Sequence, residues 1–461
     1  MKKYFSFFMF ALLLAMGCSE DYSTSAAKDG DSFIFNEGTY LTPTIDSEGG
    51  VLAFGFKCNT AWSVVESEEW LEVKPASGDA TANNFEVAIA KNRTGEQRVA
   101  TISVLYGKKS IDICLTQFAE LCAANEIAYR TTSGQTIAPN TTEGFGSNIV
   151  ENVYENGYGK LRFEGDVKSI PAEAFKGCSD LALIIIPRDL ESIGDSAFEG
   201  CTSLAGITIG DSVTTIGNRA FYECRSLKSA SIGQSVTTIG TEAFYLCAQL
   251  ESIAIPAGVE SISDYTFYNC ISLVDVTLDE GIESIGSHCF ALCSALTSVA
   301  IPDSVTTIGN YAFSDCTVLA EVTLGAGVKS LGDNAFASCS ALSNIALPEG
   351  LKNIGGYAFS NCTKIYSIAI PADVESIGDC AFFNCSSLYS VDCLAATAPT
   401  LGRYAFHKYE FDSRDESGEA GNIEDLSYAP IGCIIYVPTT AVEAYKTAEN
   451  WSDYATYIQA K

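Results

Sequence analysis

Histidine is almost missing from this chain: His288 and His407 are the two in 461 residues. Histidine-based catalysis and histidine-rich metal sites therefore have little to draw on. Basic residues are also few. Lys and Arg number 27 against 57 Asp and Glu, a formal net charge of -30. So acidic a surface makes nucleic acid and anionic lipid poor partners. There is no His-Glu-x-x-His, no Gly-x-Ser-x-Gly and no phosphate-binding Gly-Lys-Ser/Thr loop. Paired Cys-x-x-Cys clusters, which metal sites favour, do not occur. These absences argue against an enzyme and imply no cofactor and no metal. Outside the first residues, no apolar stretch of 18 residues exists to cross a bilayer.

What is present begins at the N-terminus. Lys2 and Lys3 precede an apolar run from Tyr4 to Met16, too short to span a membrane comfortably. Leu14-Ala15-Met16-Gly17-Cys18 follows. Small residues just before a cysteine resemble the bacterial lipobox. That resemblance implies cleavage before Cys18 and a diacylglycerol on its thiol, so that the membrane is met through a lipid anchor only. Ser19-Glu20-Asp21 is similar to the export signal of surface lipoproteins in Bacteroidetes, which implies the outer membrane, facing the cell exterior. The alternative is an ordinary signal peptide with a cysteine near its cleavage site. Residues 1–17 are thus read as signal peptide and 18–38 as the lipidated cysteine and a polar tether.

The strongest pattern is a repeat. Cysteines fall at 178, 201, 224, 247, 270, 293, 316, 339, 362 and 385, always 23 apart. Phenylalanines precede them by three residues, from Phe175 to Phe382, and an aliphatic residue lies five before each phenylalanine, from Ile170 to Ile377. A unit of this size cannot bury its own apolar face, so stacked units must bury it against one another. In Leu204-x-x-Ile207-x-Ile209 the alternation is strand-like, with Thr208 facing out. Gly210, Pro256, Pro302, Pro348 or Pro371 stops the strand. Val213-x-x-Ile216-Gly217 is a second short extended piece, and Ala220-Phe221-x-x-Cys224 a tight helical turn back. Ten to eleven rungs paired in parallel would make a rod about 50 Å long.

The cysteine column could be a disulfide series, a metal site or a row of buried thiols. The uniform spacing favours thiols, since bridging would pair alternate rungs and distort the stack. Cys289, Cys380, Cys393 and Cys433 lie off the column and have no assignable partners.

The motif Ala-Phe-x-x-Cys-x-x-Leu-x-x-Ile-x-Ile-Pro-x-x-Val-x-x-Ile-Gly resembles the BspA-like leucine-rich repeats of bacterial surface proteins over residues 161 to 393. Asn125-Glu126-Ile127, Asn152 to Gly159 and Leu161-x-Phe163 are similar to that family's opening segment. Ile434-x-Tyr436-Val437-Pro438, Tyr445-Lys446 and Trp451-Ser452-Asp453 are similar to its closing one. Solenoid ends need capping, and Trp451 and Tyr445 are the expected C-terminal plug. The resemblance implies an adhesin-like surface protein that binds extracellular protein or glycan. The alternatives are a structural spacer or scaffold of a surface complex and, as a minor one, a carbohydrate-active enzyme.

Residues 39–118 differ, with short alternating strands and turn signals that suggest a small immunoglobulin-like β-sandwich. The order Trp62-Ser63-Val64, Trp70-Leu71-x-Val73-x-Pro75, Asn92, Arg98-x-x-x-Ile102-x-Val104 and Ile113-x-Leu115 is similar to that of BACON domains. That family implies carbohydrate or mucin binding, or a spacer. Trp62 and Trp70 are core fillers in the simpler reading and sugar platforms in the other. The full division is then sandwich at 39–118, N-terminal cap at 119–160, leucine-rich-repeat solenoid at 161–395, and acidic loop with C-terminal cap at 396–461.

For a ligand, the outward strand residues are small (Gly206, Thr208, Ser229, Ser231, Ser298, Ala300) and offer a flat face without a pocket. The turn side is richer. Tyr222, Tyr245 and Tyr268 follow the repeat phenylalanine in successive rungs, and Tyr265, Tyr311 and Tyr357 lie two before it. They form a candidate patch for sugars or a protein, or else they merely cover the turn. His288 shares a column with Ser196, Tyr311 and Tyr357 and reads as a variable exposed site. Glu410 to Asp425, acidic with glycines, is a solvated loop or a calcium holder without EF-hand spacing.

Overall fold

The computed structural model describes residues 33–35, 44–45, 50–79, 84–90, 98–117, 123–155, 157–410 and 427–461. The leader, the lipidation position Cys18, Asn92 and nearly all of the acidic Glu410–Asp425 segment lie outside them. The chain divides into two compact units, 1–122 and 123–461. Among the described residues no helix is long and apolar enough to cross a membrane.

The first unit is all β. Its strands are β1 (Phe33–Phe35), β2 (Thr44–Ile45), β3 (Gly50–Cys58), β4 (Trp62–Glu66), β5 (Leu71–Lys74), β6 (Ser77–Gly78), β7 (Asn84–Ile89), β8 (Arg98–Tyr106) and β9 (Lys109–Gln117). They form two sheets, β1-β3-β7-β5 and β2-β9-β8-β4-β6. Alternation in β7 and β8 turns Phe85, Val87, Ile89, Ala100, Ile102 and Val104 inward. A two-residue turn at Gly107-Lys108, with φ +57° at the glycine, joins β8 to β9. Trp62 is buried edge-on to Phe56 at 5.0 Å, which makes it core and leaves no face for a sugar. Trp70 is half-buried with the Arg98 guanidinium 4.0 Å from its ring centre. Cys114 is disulfide-bonded.

The second unit is the solenoid. Its cap is antiparallel: Ile149–Glu155, Tyr158–Phe163 and Glu126–Thr131 lead in that order to Leu181–Ile185 of the first rung. Two columns of parallel strands follow. One runs from Gly206–Thr208 to Ser390–Cys393 and closes on Ile434–Val437 and Ile458–Ala460. The other runs from Ser169–Ile170 to Thr400–Leu401. Pairing is in register one repeat apart, as in Ile193 with Ile216 and Ile354 with Ile377. Identical residues therefore stack. The phenylalanines from Phe175 to Phe406 form one buried column, with neighbouring ring centres 5.1–5.6 Å apart and planes within 11°.

The cysteine column has a defined job. Each thiol from Cys201 to Cys385 donates to the phenylalanine carbonyl of the preceding rung at 3.1–3.3 Å. That carbonyl also accepts the N–H of its own rung's cysteine, as Phe198 does from Cys201. A thiol suits the place because it donates weakly and is cheap to bury. Burial pushes Cys270, Cys316 and Cys362 up to about 12, far from thiolate chemistry. Cys289, Cys380, Cys393 and Cys433 are likewise buried and free.

In detail the tight turn is not a helix. Ala197, Glu199 and Cys201 donate to the carbonyls of Gly194, Ser196 and Phe198, while Ser196, Phe198 and Gly200 donate to Asn218, Ala220 and Tyr222 of the next rung. Residues two before the phenylalanine are left-handed from Glu173 to Tyr404, at φ +53° to +58°, and residues two after it from Gly177 to Asn384.

Candidate functional site

The turn side gathers the sequence-selected tyrosines because a side chain two before or one after the phenylalanine points out of the stack. Tyr222, Tyr245 and Tyr268 lie one rung apart with ring centres 4.8 Å apart and planes within 10°. The Arg219 guanidinium sits 4.0 Å from the Tyr222 ring centre and closes that end. Burial between its neighbours raises the Tyr245 hydroxyl above its ordinary value, and the flanking Tyr222 and Tyr268 add to the effect.

Tyr265 and Tyr311 belong to the parallel column. Between them lies His288, 4.5 Å from each ring centre and within 11° of each plane. His288 is therefore not simply a variable exposed site. It is half-buried in an aromatic sandwich, with a buried Nδ1 that has no hydrogen-bond partner. Desolvation lowers its pKa, against a smaller opposing pull from Asp264. Sequence spacing carried the signal, since His288 lies 23 residues from both tyrosines.

The two columns meet at the rung of Phe267, where Tyr265 and Tyr268 are 5.6 Å apart. That rung is also the irregular one. Ser263 replaces the corner glycine and Thr266 the usual alanine. The Ser263 hydroxyl donates to the Ile239 carbonyl at 2.6 Å, and the second strand column is interrupted between Ile239 and Ser261. The result is a continuous aromatic strip of Tyr222, Tyr245, Tyr268, Tyr265, His288 and Tyr311. Tyr311 is 39% exposed and is the strip's most open ring, the others being half-buried.

Beyond the strip, Tyr357 stands two rungs from Tyr311, with Asn334 between, and a groove opens there over Gly356. On the N-terminal side Glu199 links Lys176 (3.4 Å) and Arg219 (3.6 Å), and Arg219 reaches Glu242 (3.3 Å). Such exposed pairs orient side chains more than they stabilise. The strand face is flat, with Thr208, Ser229, Ser298, Ala300 and Ser367 exposed, apart from an exposed stacked pair, Tyr366 and Tyr389, which sequence spacing had not singled out. Among the described residues no cluster of His, Cys, Asp and Glu could hold a metal ion.

This geometry is that of a repeat protein with an aromatic turn face, and comparison gives the family. A model described as BspA type Leucine rich repeat region matches residues 168–297 and 283–411, so the chain belongs to that family. A model described as Viral BACON domain matches residues 34–119. Among solved structures, a leucine-rich repeat protein from Bacteroides ovatus is 29% identical, with 64% of this chain and 76% of that one covered and a TM-score of 0.46. The leucine-rich repeat protein of T. pallidum is 30% identical over 39% of this chain and 72% of its own, TM-score 0.30. The pneumococcal vaccine antigen PcpA is 21% identical over 64% and 75%, TM-score 0.38. No curated protein matches.

Proposed function

We propose that this chain is a non-catalytic, lipid-anchored surface protein that binds extracellular protein or glycan through the turn face of its solenoid. In this reading Cys18 carries the lipid and places the protein on the outer membrane, facing outward. The observation that carries the binding role is a cost. Tyr265, His288, Tyr311, Tyr357 and Tyr404 all occupy left-handed backbone positions at φ +55° to +57°. Asn or Gly would sit there with less strain, on the order of 1–3 kcal/mol less per site. The companion left-handed position, two after the phenylalanine, is filled by Gly177, Gly200, Asn269, Asn361 and Asn384 in half of its rungs and by Glu223, Leu246, Leu292, Asp315 and Ser338 in the rest. Five of the eleven residues in the column two before the phenylalanine are rings directed outward, and their cost in strain supports a role in contact. Stacked tyrosines offer large, rigid, amphipathic area at low entropic cost.

The test replaces Tyr222, Tyr245 and Tyr268 together by Ser and measures binding to mucin, host matrix protein and polysaccharide arrays. The expected result is at least about a tenfold loss of affinity with an unchanged melting temperature. Equal binding by the variant removes the Tyr222, Tyr245 and Tyr268 stack from the binding face. Silence of the wild-type protein on every surface would instead favour a scaffold that holds a partner away from the membrane.

A further inference from the structure

The aromatic column two before the phenylalanine has a gap. Tyr265, His288 and Tyr311 stack at 4.5 Å per rung. The next rung carries Asn334, and Tyr357 follows. Tyr311 and Tyr357 are therefore two rungs apart, about 9–10 Å at the strand spacing of a parallel stack. That separation leaves room for one ring over Asn334. The neighbouring column widens the gap, because Gly356 stands where other rungs carry Asp195, Asn218, Asn310 or Asp379. The two columns together line a shallow, open groove that runs over four rungs, from Asn310 and Tyr311 to Gly378 and Asp379.

Its polar lining is specific. Asp333 accepts the Gly356 N–H through Oδ1 at 2.7 Å, and Asp379 accepts the Arg403 N–H through Oδ1 at 2.7 Å. On each, Oδ2 makes no hydrogen bond or ion pair among the described residues. The free Asp333 carboxylate oxygen, beside the Asn334 amide of the same rung, thus lies at a slot walled by aromatic rings, while Asp379 stands one rung beyond Tyr357. We propose that this slot takes one pyranose ring of a neutral or amino-bearing glycan. The ring's C–H faces would lie against Tyr311 and Tyr357, and its hydroxyls would meet the Asp333 carboxylate and the Asn334 amide. A sugar satisfies the lining better than an aromatic side chain, since a hexose carries several donors around one ring and a tyrosine carries one. Anionic sugars are excluded by the Asp333 carboxylate and the charge of -30. The inference rests on the surface-binding reading and names the ligand class for a neighbouring stretch of the same face.

The repeat itself supplies the variant. Tyr already occupies the equivalent position in flanking rungs at φ +57° and +55°, against +58° at Asn334. N334Y is therefore expected to fold and to fill the slot. The full chain is titrated with neutral N-acetylglucosamine and mannose oligosaccharides, chitosan oligomers and, as anionic probes, heparin fragments. Wild type should bind a neutral or amino member saturably and ignore heparin fragments, and N334Y should lose at least about tenfold in affinity while still melting cooperatively, at a temperature lowered only by the strain of a left-handed tyrosine. The Tyr222/Tyr245/Tyr268 serine variant should keep this sugar binding while losing capture by the strip. Equal binding by N334Y, preference for heparin fragments, or no binding of any probe overturns the slot. If mucin or matrix protein is still captured in that last case, the surface-binding reading survives without it.

Discussion

At the scale of single residues, the solenoid places polar groups where their ordinary chemistry is suppressed, and His288 shows this best. Its ring is held between Tyr265 and Tyr311, and burial lowers its pKa from the usual 6.5. His407, buried with Nδ1 2.8 Å from the Tyr454 hydroxyl, is lowered by the same cause. In both, the folded state disfavours the proton that the unfolded chain accepts near pH 6.5. Unfolded chains then bind more protons, so stability rises with pH across that interval. The stabilisation is complete above 6.5, falls as pH drops through that value, and levels off below the folded pKa. Thermal melts between pH 7.5 and 5 should show this decline. H288Y, which continues the tyrosine column at a backbone angle tyrosine already adopts, should make it shallower without abolishing it, since His407 remains. An unchanged slope would mean that His288 is not desolvated by its neighbours.

At the scale of the rung, what decides tolerance is which backbone a side chain would meet. The corner glycines Gly217, Gly240, Gly286, Gly309, Gly332, Gly355 and Gly378 sit against the preceding rung. A Cβ on Gly355 would lie 2.4 Å from the Gly332 carbonyl carbon. Gly177 is the opposite case: its φ is +76°, but a Cβ there meets nothing within 4 Å, and Asn269, Asn361 and Asn384 hold the equivalent place. G355A should therefore cost about 2 kcal/mol or more in chemical denaturation, whereas G177N should stay within about 0.5 kcal/mol of wild type. The reverse order would refute close rung contact as the reason for the corner glycine. Ser263 is the natural exception, and there the ladder breaks and the hydroxyl takes over a hydrogen bond. Rungs were legible in sequence because period 23 stacks like on like, so the Phe and Cys columns could be written down before any coordinates. The candidate tyrosines were legible for the same reason. The left-handed angles were not, since Glu, Arg, Tyr and His in that column give no turn signal, and their conformation is imposed by the bonds to the next rung. Nor was the Asn334 gap, which exists only relative to the rings above and below it.

At the scale of the whole solenoid, regularity creates two unsatisfied ends. In the turn that carries the phenylalanine, the backbone N–H groups of that residue and of those two before and two after it bond carbonyls of the rung toward the C-terminus, as Phe198 to Ala220 and Phe359 to Ala381 show. The first rung is left with free carbonyls and the last with free N–H groups, the situation of a helix at its termini. Each end is met by a residue the repeat does not contain. Asn140 donates its backbone N–H to the Ala174 carbonyl at 2.7 Å and its Nδ2 to the Lys176 carbonyl at 2.8 Å. At the other end the Tyr454 hydroxyl accepts the Phe406 N–H at 3.1 Å, while Trp451 and Tyr445 cover the apolar surface and bond the carbonyls of Pro399 and Ala395. The sequence pointed to the two aromatic plugs, which are large, but not to these two polar caps, which lie outside any repeated column. Solenoid stability is a sum of rung and nearest-neighbour terms, so damage at one end should stay local. Y454F leaves a buried N–H without its acceptor, worth about 1–3 kcal/mol. In hydrogen exchange it should deprotect the last rungs, near Thr400 to Phe406, and leave the strands at Ser192 to Ile239 unchanged. N140A should do the converse, loosening the turns around Ala174 and Lys176 while the C-terminal rungs hold. Uniform deprotection along the rod by either variant would show instead that the stack unfolds as a single cooperative body, and that its ends are not separately capped.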